Sequence, residues 1–158
     1  MIRVQREDFD TGAELSRLSA GRRDIGGVAS FVGLVRDMIG EGAEGKIGAM
    51  TLEHYPGMTE KKLEEIEAEA RRRWPLQASL IIHRHGRLEP GERIVLVATA
   101  AVHRQAALES CAFLIDWLKT QAPFWKLEET AEGSRWVDAR DSDKDAASRW
   151  LAPAPAAK

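Results

Sequence analysis

RIVLVATAAVHRQAALESCAFLIDWLKTQAPFWK, Arg93 to Lys126, decides how the chain is built. Its first ten residues, Arg93 to Val102, are almost wholly apolar, the pattern of a strand buried on both faces. His103 to Thr120 changes period. Ala107, Cys111, Leu114 and Leu118 recur every three or four residues, with Ala106, Ser110, Phe113 and Trp117 beside them. That spacing predicts a helix with a broad apolar face. Pro123 breaks the pattern, and Phe124 to Glu129 reads as a strand again.

Upstream, Ile2 to Val4 reads as a short first strand, and Asp10 can cap a helix carrying Ala13, Leu15 and Leu18. Gly26-Gly27 opens GGVASFVGLV, a Val- and Phe-rich strand ending near Val35. Arg36 to Lys46 holds Gly40, Gly42 and Gly45 among mixed charges, the composition of a mobile loop. Ile47 to Tyr55 is the next strand, ended by Pro56-Gly57. Thr59 is placed to cap a helix in which Leu63, Ile66, Ala70 and Trp74 keep helical spacing, and Pro75 stops it. Ala78 to His85 is a strand. Pro90-Gly91 suits a type II turn, which makes Arg93 to Val102 its hairpin partner. Downstream, Glu132-Gly133-Ser134 turns into a short strand, Arg135 to Val137. Asp141 or Ser142 caps a last helix toward Trp150. Hairpins mixed with helices define the α+β class. Residues 1–150 read as one domain, and the Pro/Ala-rich 151–158 as a flexible tail.

The 158 residues are 44% hydrophobic, enough for a real core rather than a disordered chain. Lys plus Arg number 23 against 25 for Asp plus Glu. That balance argues against a nucleic-acid coat or a polybasic membrane binder, but leaves room for a local basic pocket. A single cysteine, Cys111, excludes an intramolecular disulfide framework. MIRVQREDFD lacks the apolar core of a signal peptide, and Ile94 to Val102 is about half as long as a membrane-spanning helix. A cytoplasmic protein is expected.

Several cations sit where chemistry is done. His103 and Arg104 open a helix, whose N-terminus already carries partial positive charge. Arginine there is locally unfavourable unless an anion lies nearby, although a solvated helix start reads the same way. Lys119 lies at the other end of that helix, where a cation is stabilising in itself. A reactive amine there needs neighbouring cations such as Lys126 to lower its pKa. Strand alternation puts Lys126 on the face of Phe124, opposite Trp125, either as a desolvated amine or as a stem covering apolar surface. Arg36 ends an apolar strand beside the glycine-rich loop, and Arg140 precedes a helix start. His83 and His85 share a strand face, but no third ligand has metal-site spacing, so no metal is expected. Nucleotide-loop, HExxH and GxSxG motifs are lacking.

FVGLVRD (Phe31 to Asp37), TLEHYPGMTEKKLEEI (Thr51 to Ile66), RWPL (Arg73 to Leu76), HRHGRLEPGE (His83 to Glu92), AVHR (Ala101 to Arg104), WLKTQAPFWK (Trp117 to Lys126) and RWVDARDSD (Arg135 to Asp143) together resemble the catalytic, large subunit of molybdopterin synthase. The match covers roughly residues 26–150. The resemblance implies an α/β hammerhead-like fold with an additional antiparallel sheet. It implies a sulfurtransferase that turns cyclic pyranopterin monophosphate into the molybdopterin dithiolene. The sulfur comes from the thiocarboxylated C-terminus of a small ubiquitin-like partner, within a heterotetramer built on a dimer of large subunits. No resident cofactor is implied, since the pterin is the substrate.

By the same resemblance Lys119 and Lys126 match catalytic lysines, and Arg36, His103, Arg104 and Arg140 match anion- and substrate-binding positions. Leu34-Val35-Arg36 and Lys126-Leu127-Glu128 match stretches lining the pterin. Leu34 stands where family members often carry a more polar residue, so the weight falls on Arg36. His103 and Lys119 lie sixteen residues apart on one predicted helix, roughly 24 Å, so both serve one pocket only if His103 and Arg104 come from a neighbouring subunit. Two other classes stand against this enzyme: a non-catalytic module docking an acidic tail, and an RNA binder using Trp125 and HRHGR. The lack of basic excess weakens the second.

Overall fold

The computed structural model describes residues 1–37, 45–138 and 140–151. In chain order the elements are β1 (Ile2–Gln5), α1 (Thr11–Ser19), β2 (Gly27–Leu34), β3 (Ile47–His54), α2 (Met58–Arg73), β4 (Leu76–Arg84), β5 (Gly86–Leu88), β6 (Arg93–Ala101), α3 (Arg104–Gln121), β7 (Phe124–Thr130), β8 (Gly133–Val137) and α4 (Asp141–Ser148). The expected glycine-rich loop falls, at 38–44, outside the described residues, as does the expected tail at 152–158.

The strand at the centre of the sequence reading is at the centre of the structure. β6 lies between β4 and β2 in a sheet of order β1-β4-β6-β2. Because side chains alternate along a strand, β6 feeds two cores. Val95, Val97 and Ala101 face α2 and α3, packing with Leu63, Ile66, Phe113 and Leu114. Leu96 and Ala98 face α1, packing with Phe9, Leu80 and Ile82. Both faces are covered, which is why the strand is continuously apolar. On α3 the stripe Ala107, Cys111, Leu114 and Leu118 is buried, together with Ser110 and Phe113. Phe113 is fully buried. Truncating such a side chain to alanine costs about 3–5 kcal/mol.

A second, antiparallel sheet has the order β5-β3-β7-β8. The mixed α+β architecture with an added antiparallel sheet is therefore as expected. The simple β4–β6 hairpin is not. β4 does pair antiparallel with β6, but between them β5 leaves the first sheet and pairs with β3 in the second. Gly86, with φ +89°, allows that exit. Leu88 then buries against Val35, Met50 and Leu52, so one connection stitches the two sheets together.

Two caps also differ. Thr59 is the second residue of α2, not its cap. Its buried hydroxyl accepts from the Tyr55 N–H at 3.1 Å and donates to the Pro123 carbonyl at 3.3 Å. The cap is Gly57, φ +82°, whose N–H donates to the Glu60 carboxylate at 2.7 Å. Asp141 is the first residue of α4, and the cap position is Arg140, with no side-chain cap bond. α4 buries none of its own residues. It is held by Trp150 beyond it, which packs edge-on against Trp74 and Phe113.

Candidate active site

A cavity of about 660 Å³ opens where the two sheets, the C-terminal end of α3 and the start of α4 meet. Each element delivers its residue for a local reason. β2 ends at Leu34, and Arg36 follows on the way out of the sheet. The last turn of α3 carries Lys119, where a cation complements the helix carbonyls. On β7 the two-residue period sends Phe124, Lys126 and Glu128 into the cavity and Trp125 away, where it meets Tyr55 edge-on. Arg140 enters from the turn before α4, followed by Ser142 and Asp143. The apolar side comes from Phe31, Met50, Leu52, Ile94, Ile115 and Leu118.

The structure thus brings together Arg36, Lys119, Lys126, Glu128 and Arg140. Leu34 also lines the cavity, whereas Val35 is buried in the small core beneath. Leu127 does not line it. It alternates to the other face of β7, in register with Thr51 and Trp136, so its side chain points away from the rest of the set. His103 and Arg104 are exposed at the opposite end of α3. Arg104 backs onto the start of β2, its Cα 3.6 Å from where a Cβ on Gly27 would stand.

The expected cation-on-cation arrangement of the two lysines is not what the free chain shows. Lys119 Nζ lies 3.7 Å from Asp143 Oδ1. Lys126 Nζ lies 3.1 Å from Glu128 Oε1, and Arg135 holds the other oxygen of that carboxylate at 3.2 Å. Glu128 is buried, so its charge is retained in the wall by two cations and not by water. Asp143 and Arg135 escaped the sequence reading. An acid in the first turn of a helix is expected on dipole grounds alone, and a strand arginine carries no signal of its partner.

His83 also lines the cavity. Its ring stacks on Phe124 at 3.7 Å and 16°. Burial pushes its pKa down to about 4, and the nearby His54 and His85 add to the lowering. His85 lies past the end of β4 and its ring meets that of His54 at 4.2 Å, not that of His83. Among the described residues no set of His, Cys, Asp and Glu is spaced to hold a metal ion.

Four cations, two of them paired with carboxylates, beside an apolar wall in a cleft of ligand-binding size are the features of a binding protein or enzyme for an anionic ligand. The MoaE protein family matches residues 4–121. A molybdopterin synthase catalytic subunit from Pseudomonas aeruginosa is 59% identical over 149 residues, 94% of this chain and 97% of that one. The solved structure of a molybdopterin biosynthesis MoaE protein from Burkholderia ambifaria superposes with a TM-score of 0.81 at 54% identity, covering 96% of this chain and 98% of that one. A molybdopterin synthase crystal structure from Staphylococcus aureus gives 0.77 at 31% identity, covering 86% and 96%. The chain belongs to the MoaE family, that of the molybdopterin synthase catalytic subunits.

Proposed function

We propose that the cleft is the site where molybdopterin synthase builds the dithiolene. Sulfur passes from the thiocarboxylate end of a small ubiquitin-like subunit to cyclic pyranopterin monophosphate. The observation that carries this reading is the convergence of Lys119, Lys126, Arg36 and Arg140 on one cavity with an apolar side. Phosphate and thiocarboxylate are both anions, and both need donors that gain strength as charge develops. Lys119 is assigned to the thiocarboxylate or the acyl intermediate derived from it. Lys126 is assigned to orienting the pterin or moving a proton. Each lysine must exchange its present carboxylate for the ligand. The pterin is substrate, not a resident cofactor. A free, buried Cys111 fits a reducing cytoplasm, and no helix among the described residues is long and apolar enough to cross a membrane.

His103 and Arg104 belong, on this reading, to the cleft of a second copy. β2 is an edge strand, and Val28, Phe31 and Leu34 on it are exposed. An antiparallel β2–β2 pairing across a twofold axis through its middle sets Leu34 of one copy beside Gly27 of the other. Gly27 is where Arg104 stands. The same pairing therefore covers an open sheet edge and carries the missing cations toward Arg36.

Reconstitution with purified precursor and thiocarboxylated partner, read as dithiolene product, tests the activity. Lys119→Ala and His103→Ala should each fold normally and make almost no product. Mixed as equal parts and allowed to exchange subunits, they should recover about a quarter of the full rate, because half the dimers then hold one intact site of two. No recovery on mixing, with subunit exchange verified, refutes the shared site. Product from Lys119→Ala at the full rate refutes the lysine's role.

A further inference from the structure

His83 lines the cleft but has no part in the sulfur chemistry proposed above. It sits near the end of β4, 5% exposed, with its ring stacked on Phe124. Its Nδ1 lies 2.8 Å from the backbone carbonyl of Arg84. A carbonyl only accepts, so Nδ1 carries the hydrogen and Nε2 is left with a bare lone pair. No described residue donates a hydrogen bond to Nε2. Burial keeps the ring unprotonated at neutral pH, because its pKa falls to about 4. Tautomer, ring plane and charge state are thus fixed before any ligand arrives.

The remaining polar groups of the cleft make this lone pair distinctive. Arg36, Lys119, Lys126 and Arg140 are donors only. Among the other acceptors of the lining, Asp143 and Glu128 are engaged by Lys119 and Lys126, and Asp138 and Ser142 are exposed to solvent, whereas His83 is buried. A pterin offers ring and exocyclic N–H groups as well as its phosphate, and those N–H groups need acceptors when they leave water. The geometry points to His83 Nε2 as the acceptor for a heterocyclic N–H of the bound pterin, a positioning residue that selects and orients the ring. This rests on the cleft being the pterin site proposed above.

His83→Asn keeps an amide N–H for the Arg84 carbonyl but has no atom at the Nε2 position. His83→Gln can place its amide oxygen there. Direct titration with the cyclic precursor, without the sulfur-carrying partner, separates binding from catalysis. The unsubstituted chain should bind, His83→Asn should bind roughly tenfold to a hundredfold more weakly, and His83→Gln should recover most of the loss. In turnover, the asparagine variant should raise KM for the pterin with kcat little changed. Should either variant fold poorly, the 15N resonance of Nε2 in the unsubstituted chain gives an independent reading. It should report a lone-pair nitrogen at neutral pH that shifts when precursor is added.

Equal affinity of all three folded chains, or an Nε2 resonance that ignores bound precursor, overturns the assignment while leaving the cleft as the pterin site. Failure of the unsubstituted chain to bind precursor at all overturns the cleft reading itself, and this assignment with it.

Discussion

Trp150→Ala should undock α4 and remove one wall of the cleft. The helix is eight residues long and buries none of them, so it has no stability of its own. Trp150 anchors it. The indole meets the Trp74 and Phe113 rings edge-on at 5.6 and 5.7 Å, contacts worth about 0.5–1.5 kcal/mol each. The indole N–H donates to the Asp116 carboxylate at 2.7 Å. That bond adds about 1 kcal/mol, below the usual value for a charged acceptor because Arg149 shares the same oxygen. The bond from Arg73 to the Trp150 carbonyl survives the substitution. The total is about 3 kcal/mol, or roughly a hundredfold in the opening equilibrium of α4.

Native-state hydrogen exchange reads this directly. The α4 amides should exchange on the order of a hundredfold faster, while β4 and β6 keep most of their protection. Arg140, Ser142 and Asp143 leave the cleft with the helix, so the site loses one of its anion-binding cations and turnover should fall even at temperatures where the sheets are intact. The fall in Tm is capped by the docking free energy, because the rest of the chain loses nothing more once α4 is free. Unchanged α4 protection, or equal loss of protection throughout the sheets, would refute the idea of α4 as a separately latched wall.

Acid should destabilise the fold in a defined window. His83 is held to about 4 when folded and titrates near its ordinary 6.5 when unfolded, so between those values only the unfolded chain takes the proton. Stability should rise with pH through that window and decline as pH falls from 6.5 toward 4, by about 3 kcal/mol in all. His85, also lowered by partial burial and by His54, works in the same direction. Tm recorded against pH should show a flatter curve for His83→Gln. Glu128→Gln removes the charge that Lys126 and Arg135 share. Both cations still reach water, so the cost should be about 2 kcal/mol rather than the full penalty of a stranded buried charge, read by denaturant titration. Gly26→Ala would put a Cβ 2.0 Å from the Val102 carbonyl oxygen, a backbone clash that should lower Tm by about 4–8 °C. Gly12→Ala in α1 meets nothing closer than the Asp10 carboxylate at 3.4 Å and should leave Tm unchanged or slightly raised.

The long elements were legible in the chain because each has a period and a stop. β6 is apolar throughout since both its faces are covered, and α3 shows its buried stripe outright. β5 was invisible. Three residues have no period, and its pairing with β3 is decided by a glycine exit and a distant partner. Thr59 misled because a threonine in the first turn looks like a threonine before it. Only the structure shows the hydroxyl serving Tyr55 and Pro123. Within the site, Arg36, Lys119 and Arg140 stand at element ends and Lys126 inside β7, positions whose local signal is ambiguous, and the motif resemblance is what singled them out. Leu127 was carried along with its neighbours as part of a stretch, although the alternation that admits Lys126 and Glu128 necessarily turns it away. Glu128 lies two residues from Lys126 on the same strand and was named with it, but the carboxylate of Asp143 facing Lys119, and the pairing of His54 with His85, arise from elements remote in sequence and leave no local trace.

The lysine–carboxylate pairs have a consequence for traffic into the cleft. Arg36, Lys119, Lys126 and Arg140 are nearly balanced by Glu128, Asp138 and Asp143, so the lining that one copy supplies carries a net of one positive charge. Physiological ionic strength screens exposed charge over about 8 Å, so a net charge that small reaches little beyond the mouth of the cleft. Sulfate, nucleotides and other abundant anions of the solution are given little long-range pull. Full attraction is released only to a guest whose shape reaches both ammonium groups and displaces their acids, so selectivity is exercised after arrival rather than during approach.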